Sequence, residues 1–339
     1  MDSIYKTNKI IFDYFSFTIK NCTPEDIIEL LGVEKLEFLD LFGSHGYKHR
    51  YYYDGISTHF GGREEVWCEM SGQGCRVFES FGHGDFFKVG YDVVTNDNAH
   101  FTRVDIAYDD FNGLLDLDKI RNDIKNDNWV SRARKIIETT EHVHGGVDGS
   151  SVTIGNTRQS DICCRIYDKA AERGRKDEIN HWVRCELQLR HQHADNFISY
   201  LLADNLKDIL GCEVPGCKRL DFMYFSVLNN FFRLIDTTGG DSNRWRNPIC
   251  EHWAEFIGSY SGNPVSLYSA PGVEYNVMKL QDIVENMYGG MLYTYFQFYE
   301  HDELDNAIYP KSFNLNVKYQ NLIDERNKYI ESQYFDLLA

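Results

Sequence analysis

Three short runs combine side-chain types and alternation that suit chemistry at a phosphate: VDIAYDD (Val104 to Asp110), CCRIYDK (Cys163 to Lys169) and VRCELQLR (Val183 to Arg190). Successive side chains of a strand point to opposite faces. As strands, the runs turn Val104, Ile106, Tyr108, Ile166, Cys185, Leu187 and Leu189 towards a core. Their other face displays Asp105, Asp109, Arg165, Tyr167, Lys169, Arg184, Glu186 and Arg190, with Arg103 just before the first run and Trp182 just before the third. Carboxylates, a phenol and several cations on one rigid surface are what a metal-assisted reaction at a phosphate requires.

The roles separate by chemistry. Carboxylate oxygens suit a hard cation such as Mg²⁺ or Mn²⁺, which makes Asp105 and Glu186 the natural ligands if their strands are neighbours. Tyr167 carries a phenol of ordinary pKa about 10. Nearby Arg or Lys together with the metal would favour its phenolate and so a covalent phosphotyrosine. Lys169 and Arg165 or Arg184 would hold the phosphate or stabilise developing charge. Three other readings stay open: a solvated face of cross-strand salt bridges, a single-strand binder using Trp182, Tyr167, Arg165 and Lys169 without breaking a bond, and a nuclease that attacks with water. A further run, EHVHGGV, offers His142 and His144 as imidazole metal ligands, although a Gly pair follows where a strand should continue.

The elements that must position these groups are legible in part. A strand is expected over Ile10 to Ile19, then a helix that Thr23 caps, Pro24 enters and Gly32 stops. Tyr47 to Phe86 reads as short strands with Gly turns, including SGQGCRVFE as a strand. A second strand-then-helix unit starts at Phe101 and continues through LLDLDKIRNDIK, echoing the first, with Asp13 and Asp105 in similar places. A helix follows from about Ala194 to Leu210, and beyond Gly211 aromatic-rich helical segments suggest a separate lobe in which Trp245 and Trp253 anchor a helix.

Composition narrows the class. The chain has 339 residues, 42% hydrophobic and 14% aromatic, enough for a sizeable core. Its net charge of -17 argues against nonspecific coating of nucleic acid and leaves room for a local basic groove. The run RIYDKAAERGRK is basic, whereas EHDELD is acidic. Nine cysteines without a CxxC pair suggest reduced thiols. No apolar run is long enough to span a membrane and the first residues lack a signal pattern, so a cytoplasmic location is expected.

Four ordered blocks resemble the Rep_trans family of rolling-circle replication initiators, which includes relaxases of integrative conjugative elements. They are FDYFSFTI, MSGQGCRVFE, FTRVDIAYDDFNG, and VTIGNTRQSDICCRIYDKAAERG followed by HWVRCELQLR, within residues 10 to 210. The resemblance implies an endonuclease that nicks one strand at an origin through a 5′-phosphotyrosine on Tyr167 and can reseal it. It implies metal at Asp105 and Glu186, with Glu79 as a third ligand, and DNA contacts from Arg103, Arg184, Arg190 and Trp182. It further implies origin DNA, single-stranded or supercoiled, as substrate, a homodimer, and a host helicase of the UvrD/PcrA type as partner. No block after Gly211 matches the family's origin-binding part.

The expected architecture is α+β: a large mixed or antiparallel sheet, internally duplicated, with helices on one face and a helical C-terminal lobe. The expected divisions are an N-terminal β-rich half (1–100), a catalytic half (101–211) and the lobe (212–339).

Overall fold

The computed structural model describes residues 7–143, 146–204, 206, 216–258, 265, 267, 289–297 and 323. Its strands and α-helices begin, in chain order, with β1 (Lys9–Lys20), α1 (Pro24–Leu31), β2 (Leu39–Phe42), β3 (His49–Tyr53), β4 (Ile56–Phe60), β5 (Glu65–Met70), α2 (Gly72–Phe81), α3 (Phe86–Val94), β6 (Ala99–Asp110), α4 (Leu117–Lys125) and β7 (Trp129–Ser131). There follow β8 (Ile136–Val143), β9 (Gly146–Ile154), β10 (Ile162–Asp168), α5 (Lys169–Glu172), β11 (Val183–Arg190), α6 (Gln192–Leu202), α7 (Arg219–Phe231), β12 (Phe232–Leu234), α8 (Glu251–Ile257) and α9 (Gly289–Tyr295).

Ten strands form one sheet in the order β2-β3-β4-β5-β1-β6-β11-β10-β9-β8. Every pairing in it is antiparallel, so the sheet is not mixed. Outward from the β1–β6 seam, the halves have matching topology: a long strand, then the last strand of a meander, then the earlier ones in reverse. The first half runs β1, β5, β4, β3, β2 and the second β6, β11, β10, β9, β8. That is the internal duplication the two strand–helix units suggested.

Two bulges tune the seam. Phe12 pairs with Ile106 and Tyr14 with Asp105, which leaves Asp13 as an extra residue. A bulge resets the alternation, so Phe12 and Phe15, three apart, are both buried in the apolar cluster. Thr102 is the extra residue on β6, and Phe101 and Val104 are buried there in the same way. Phe15 meets Phe12, Phe17, Phe86 and Phe101 at ring separations between 5.1 and 6.3 Å, mostly edge to face.

Helices cover one face. Helix α1 forms as expected: Thr23 and Asp26 close a capping box, and Gly32 ends the helix at φ 67°. The segment expected as a strand, SGQGCRVFE, is helix α2 instead. Ser71 caps it by accepting from the Gly74 N–H, and Cys75 and Phe78, three apart, turn inward. Its glycines reflect close packing, since a Cβ on Gly74 would sit 2.1 Å from the Gly55 carbonyl oxygen.

Two compact units divide the chain, Met1–Leu267 and Tyr268–Ala339. Residues 216–257 therefore belong with the sheet and not to a lobe beginning at 212. The reason is burial: Tyr224 of α7 is fully buried and donates to the Cys185 carbonyl oxygen at 2.8 Å, and Trp253 of α8 is also fully enclosed. Strand β12 pairs with β7 in a separate small sheet. In the second unit, the described residues include the short helix α9; most of the segments expected as a helical lobe lie outside the described residues.

Phe15→Ala removes the hub of the seam's aromatic packing. It should destabilise the protein by about 3–5 kcal/mol, measured by denaturant unfolding at unchanged m-value.

Candidate active site

Strands β6, β11 and β10 are consecutive in the sheet. Register sets Arg165 opposite Glu186 and Tyr167 opposite Arg184. It also sets Glu186 opposite Ala107, Gln188 opposite Asp105, and Arg184 opposite Asp109. Opposed residues share a face, so one face gathers Asp105, Asp109, Arg165, Tyr167, Arg184 and Glu186. Lys169 opens the short helix α5 after Asp168 and is not a strand residue, yet its Nζ donates to the Tyr167 hydroxyl at 3.3 Å.

Tyr167 is the centre of the first cluster. Its O–H donates to Glu186 Oε2 at 3.0 Å. Arg165 lies 4.7 Å from the ring centroid and reaches Glu186 Oε1 at 3.7 Å. Tyr167 is only 4% exposed, but it takes no part in the apolar cluster under the helices. It instead walls a small pocket on the open face with Arg165, Ser151, Glu141 and Glu172. Burial, and then the Glu186 carboxylate, raise the phenol well above its usual range, and Arg184 opposes them without prevailing. The protein's own cations therefore do not by themselves favour the phenolate, a role the expectation gave them together with a bound metal, and the hydroxyl donates to Glu186.

A second cluster is built on Arg184. Its guanidinium grips Asp109 through Nε at 2.7 Å and Nη2 at 2.8 Å, and Nη1 lies 2.6 Å from Asp13 Oδ2. The Trp182 indole N–H donates to Asp109 Oδ1 at 2.8 Å. Arg103 holds Asp105 with two donors and stacks over the Tyr14 ring at 4.3 Å. Arg190 donates to the Thr157 carbonyl oxygen at 2.9 Å, beside Gln188, which donates to the same oxygen.

Burial above all pushes Asp105 up to about 7; Arg103 pulls against this, and the Glu186 and Asp13 carboxylates add to the rise. Asp105 and Glu186 present the carboxylate oxygens that a hard divalent cation takes, and a cation held there would relieve the cost that burial puts on the Asp105 charge. Glu79 is not a strand residue. It lies on helix α2, where it pairs with Arg76 at 3.0 Å, because the segment is helical and not the strand its placement required. The side chains of His142 and His144 lie outside the described residues.

Beside Tyr167 opens a cleft of about 670 Å³ lined by Lys9, Arg76, Lys169, Arg173, Arg175 and Arg184, with Asp13 and Asp109 facing Arg184. Phe111 and Trp182, at 5.4 Å and 30° between planes, line it as well. Sequence reasoning missed Lys9, Arg76 and Phe111 as neighbours of the site, because strand alternation says nothing about which strand ends and helix starts converge. Arg173 and Arg175 fall within the basic run that stands out in the sequence, and Asp13 is visible there only as the counterpart of Asp105.

Residues 99–308, more than half of the chain, match the family profile Rep_trans, described as "Replication initiation factor". The chain belongs to this family. Residues 9–87 of this initiation factor also match the profile "Rolling Circle replication initiation protein N-terminal domain". The two matches divide where the duplicated sheet does, between β1's half and β6's. A relative described as "Putative DNA relaxase NicK", from Bacillus subtilis (strain 168), is 26% identical over 274 residues, covering 76% of this chain and 73% of its own. The solved rolling-circle replication initiator protein from Geobacillus stearothermophilus superposes with a TM-score of 0.65 at 27% identity, covering 77% of this chain and 99% of that one. Among the described residues no helix is long and apolar enough to cross a membrane.

Arg184→Met leaves two carboxylates facing each other without their cation. It should cost about 3–5 kcal/mol in thermal or denaturant unfolding, and adding Asp109→Asn should restore part of that loss.

Proposed function

We propose that this initiation factor nicks and rejoins one DNA strand at an origin through Tyr167, with Mg²⁺ or Mn²⁺ held by Asp105 and Glu186. The observation that carries the reading is the 3.0 Å hydrogen bond from the Tyr167 hydroxyl to Glu186, with Lys169 at 3.3 Å from the same oxygen. A nucleophile, its proton acceptor and a cation meet at one atom on the open face of the sheet.

The step balances simply. Tyr167 Oη bonds to the phosphorus as its proton passes to Glu186 Oε2. The bond from phosphorus to the 3′ oxygen breaks, and that oxygen leaves with a proton from solvent as a free 3′-OH. Lys169 and Arg165 hold the extra charge of the transition state. The bound cation would polarise the phosphoryl oxygen and offset the carboxylate charge. One phosphodiester replaces another, so the reverse reaction rejoins the strand without ATP.

The basic cleft supports a path for the unpaired strand, its cations along the phosphates and Phe111 with Trp182 beside the bases. Arg103 and Arg190, already tied to Asp105 and Thr157, serve this path by shaping the face more than by free charge. The same reading includes a homodimer and a helicase of the UvrD/PcrA type, since a nick alone does not separate the duplex. Initiation on a plasmid or phage and strand transfer by a conjugative relaxase share this chemistry.

Incubation with labelled single-stranded origin DNA tests the reading. With Mg²⁺ or Mn²⁺ the wild type should give a protein–DNA band that survives denaturation. Tyr167→Phe should lower its formation by at least about a thousandfold. Continued nicking by Tyr167→Phe would instead make water the nucleophile. For the cleft, Arg173→Ala with Arg175→Ala should weaken single-strand binding. The slope of log K against log salt should fall by roughly 0.7 for each phosphate that is no longer neutralised, read by fluorescence anisotropy.

A further inference from the structure

On the covering layer, away from the open face, three side chains of different chemistry converge. Asp123 is on helix α4, Cys250 caps the start of α8, and His252 is the second residue of α8. Their ligand atoms all lie within 4.8 Å of one another. His252 Nε2 is 3.1 Å from Asp123 Oδ2, and Cys250 Sγ lies 3.5 Å from Nδ1 and 3.7 Å from Nε2 of the same ring.

The spacing is informative because Asp123 Oδ2 is buried and makes no hydrogen bond, although an imidazole nitrogen is 3.1 Å away. The two atoms are close without pointing at each other. That is the relation expected of two donors aimed at a shared third point. Around a tetrahedral zinc ion, with bonds of about 2.0–2.1 Å to N and O and about 2.3 Å to S, the N···O separation is about 3.3 Å and the N···S separation about 3.6 Å. The N···O separation falls close to the first value, and the thiol, which lies beside both ring nitrogens, meets the second once the imidazole turns about its Cβ–Cγ bond to aim Nε2 at the shared ion.

We propose that Asp123, Cys250 and His252 form a second metal site, suited to Zn²⁺, that fastens helix α4 to the start of helix α8. A thiolate, an imidazole and one carboxylate select a borderline-soft ion over Mg²⁺ or Mn²⁺, which separates this site from the hard-oxygen pair Asp105 and Glu186. Place in the fold separates them too. Helix α4 packs on β9 and β10, and its Ile120 shares the apolar cluster with Val152, Ile154 and Ile166, whose side chains lie opposite the Tyr167 face.

The ligands rest on held backbone. The Cys250 N–H donates to the Leu234 carbonyl oxygen at 3.1 Å, and Ile235 bridges to Ile249 just before it. Asn128 Nδ2 lies 3.5 Å from Asp123 Oδ1, where it orients the carboxylate from outside. On uptake, the Cys250 S–H bond gives way to a metal–sulfur bond and one proton passes to solvent. A fourth position is left for water.

The test uses the full chain, stripped with chelator and reloaded with Zn²⁺ or Co²⁺. The wild type should retain about one zinc per chain after gel filtration. Its Co²⁺ form should show a thiolate charge-transfer band in the near ultraviolet with the visible bands of a tetrahedral site. Cys250→Ser should lose the band, and His252→Gln should lower retained zinc at least about tenfold. Glu186→Gln should keep both band and zinc, because it touches only the other site. A wild type that binds neither ion, or a band that survives Cys250→Ser or disappears in Glu186→Gln, overturns the proposal. If Cys250→Ser does not fold, the His252→Gln zinc content and the wild-type Co²⁺ spectrum decide by the same criteria.

Discussion

The register between β6, β11 and β10 is the constraint on which the rest depends. Strand side chains alternate with period two, so a slip of one residue would carry Tyr167 and Glu186 under the helices and turn Ile166, Cys185 and Leu187 to the open face. The apolar side forbids it. Ile166, Cys185, Leu187 and Leu189 are fully buried there, and Tyr224 of α7 hydrogen-bonds the Cys185 carbonyl from the same layer. The covering helices thus fix the position of a reactive phenol on the opposite face, by leaving the strands one acceptable pairing.

Charge on the open face is ordered by the same pairing. Arg184, Asp109, Asp105, Glu186 and Lys169 are each at most 5% exposed. Buried charges persist where partners satisfy them, and the partners here form two linked groups, one around Arg184 and one around Tyr167. A chain of net charge -17 can still attract a phosphate backbone because the cations are not spread evenly. Six of them line one cleft, while acidic runs such as EHDELD add to the overall sum.

Much of the site is legible in the sequence because alternation is strict in long strands. Spacing alone places Arg103, Asp105, Asp109, Arg165, Tyr167, Arg184 and Glu186 on one face, and the observed pairings agree. Helix α1 is legible for a local reason, its capping box and terminal Gly. Helix α2 is not, because the glycines of SGQG suggest a turn between strands, whereas they answer a tertiary demand from Gly55 that no local pattern reveals. The boundary expected at residue 212 fails likewise: aromatic-rich sequence looks the same whether its rings fill a separate lobe or, like those of Tyr224 and Trp253, complete an existing core. The state of the phenol is also beyond sequence, since neighbouring cations are visible there and the depth of burial is not.

The duplication explains why a second reactive cluster does not follow from a second half. Strand β4 holds the place in the first half that β10 holds in the second, and β5 the place of β11. Where the second half has Tyr167 and Glu186 on adjacent strands, the first has His59 on β4, stacked on Trp67 at 4.4 Å, and Glu69 on β5, 3.3 Å from His59 Nε2. Glu69 also accepts from Tyr14 on β1, so its oxygens are occupied by two donors of its own half. The acid that in one half faces a nucleophile is, in the other, neutralised by its neighbours. An antiparallel seam joins the two halves in one sheet, and the same strand positions carry a phenol and its acceptor in one half and an imidazole–carboxylate pair in the other.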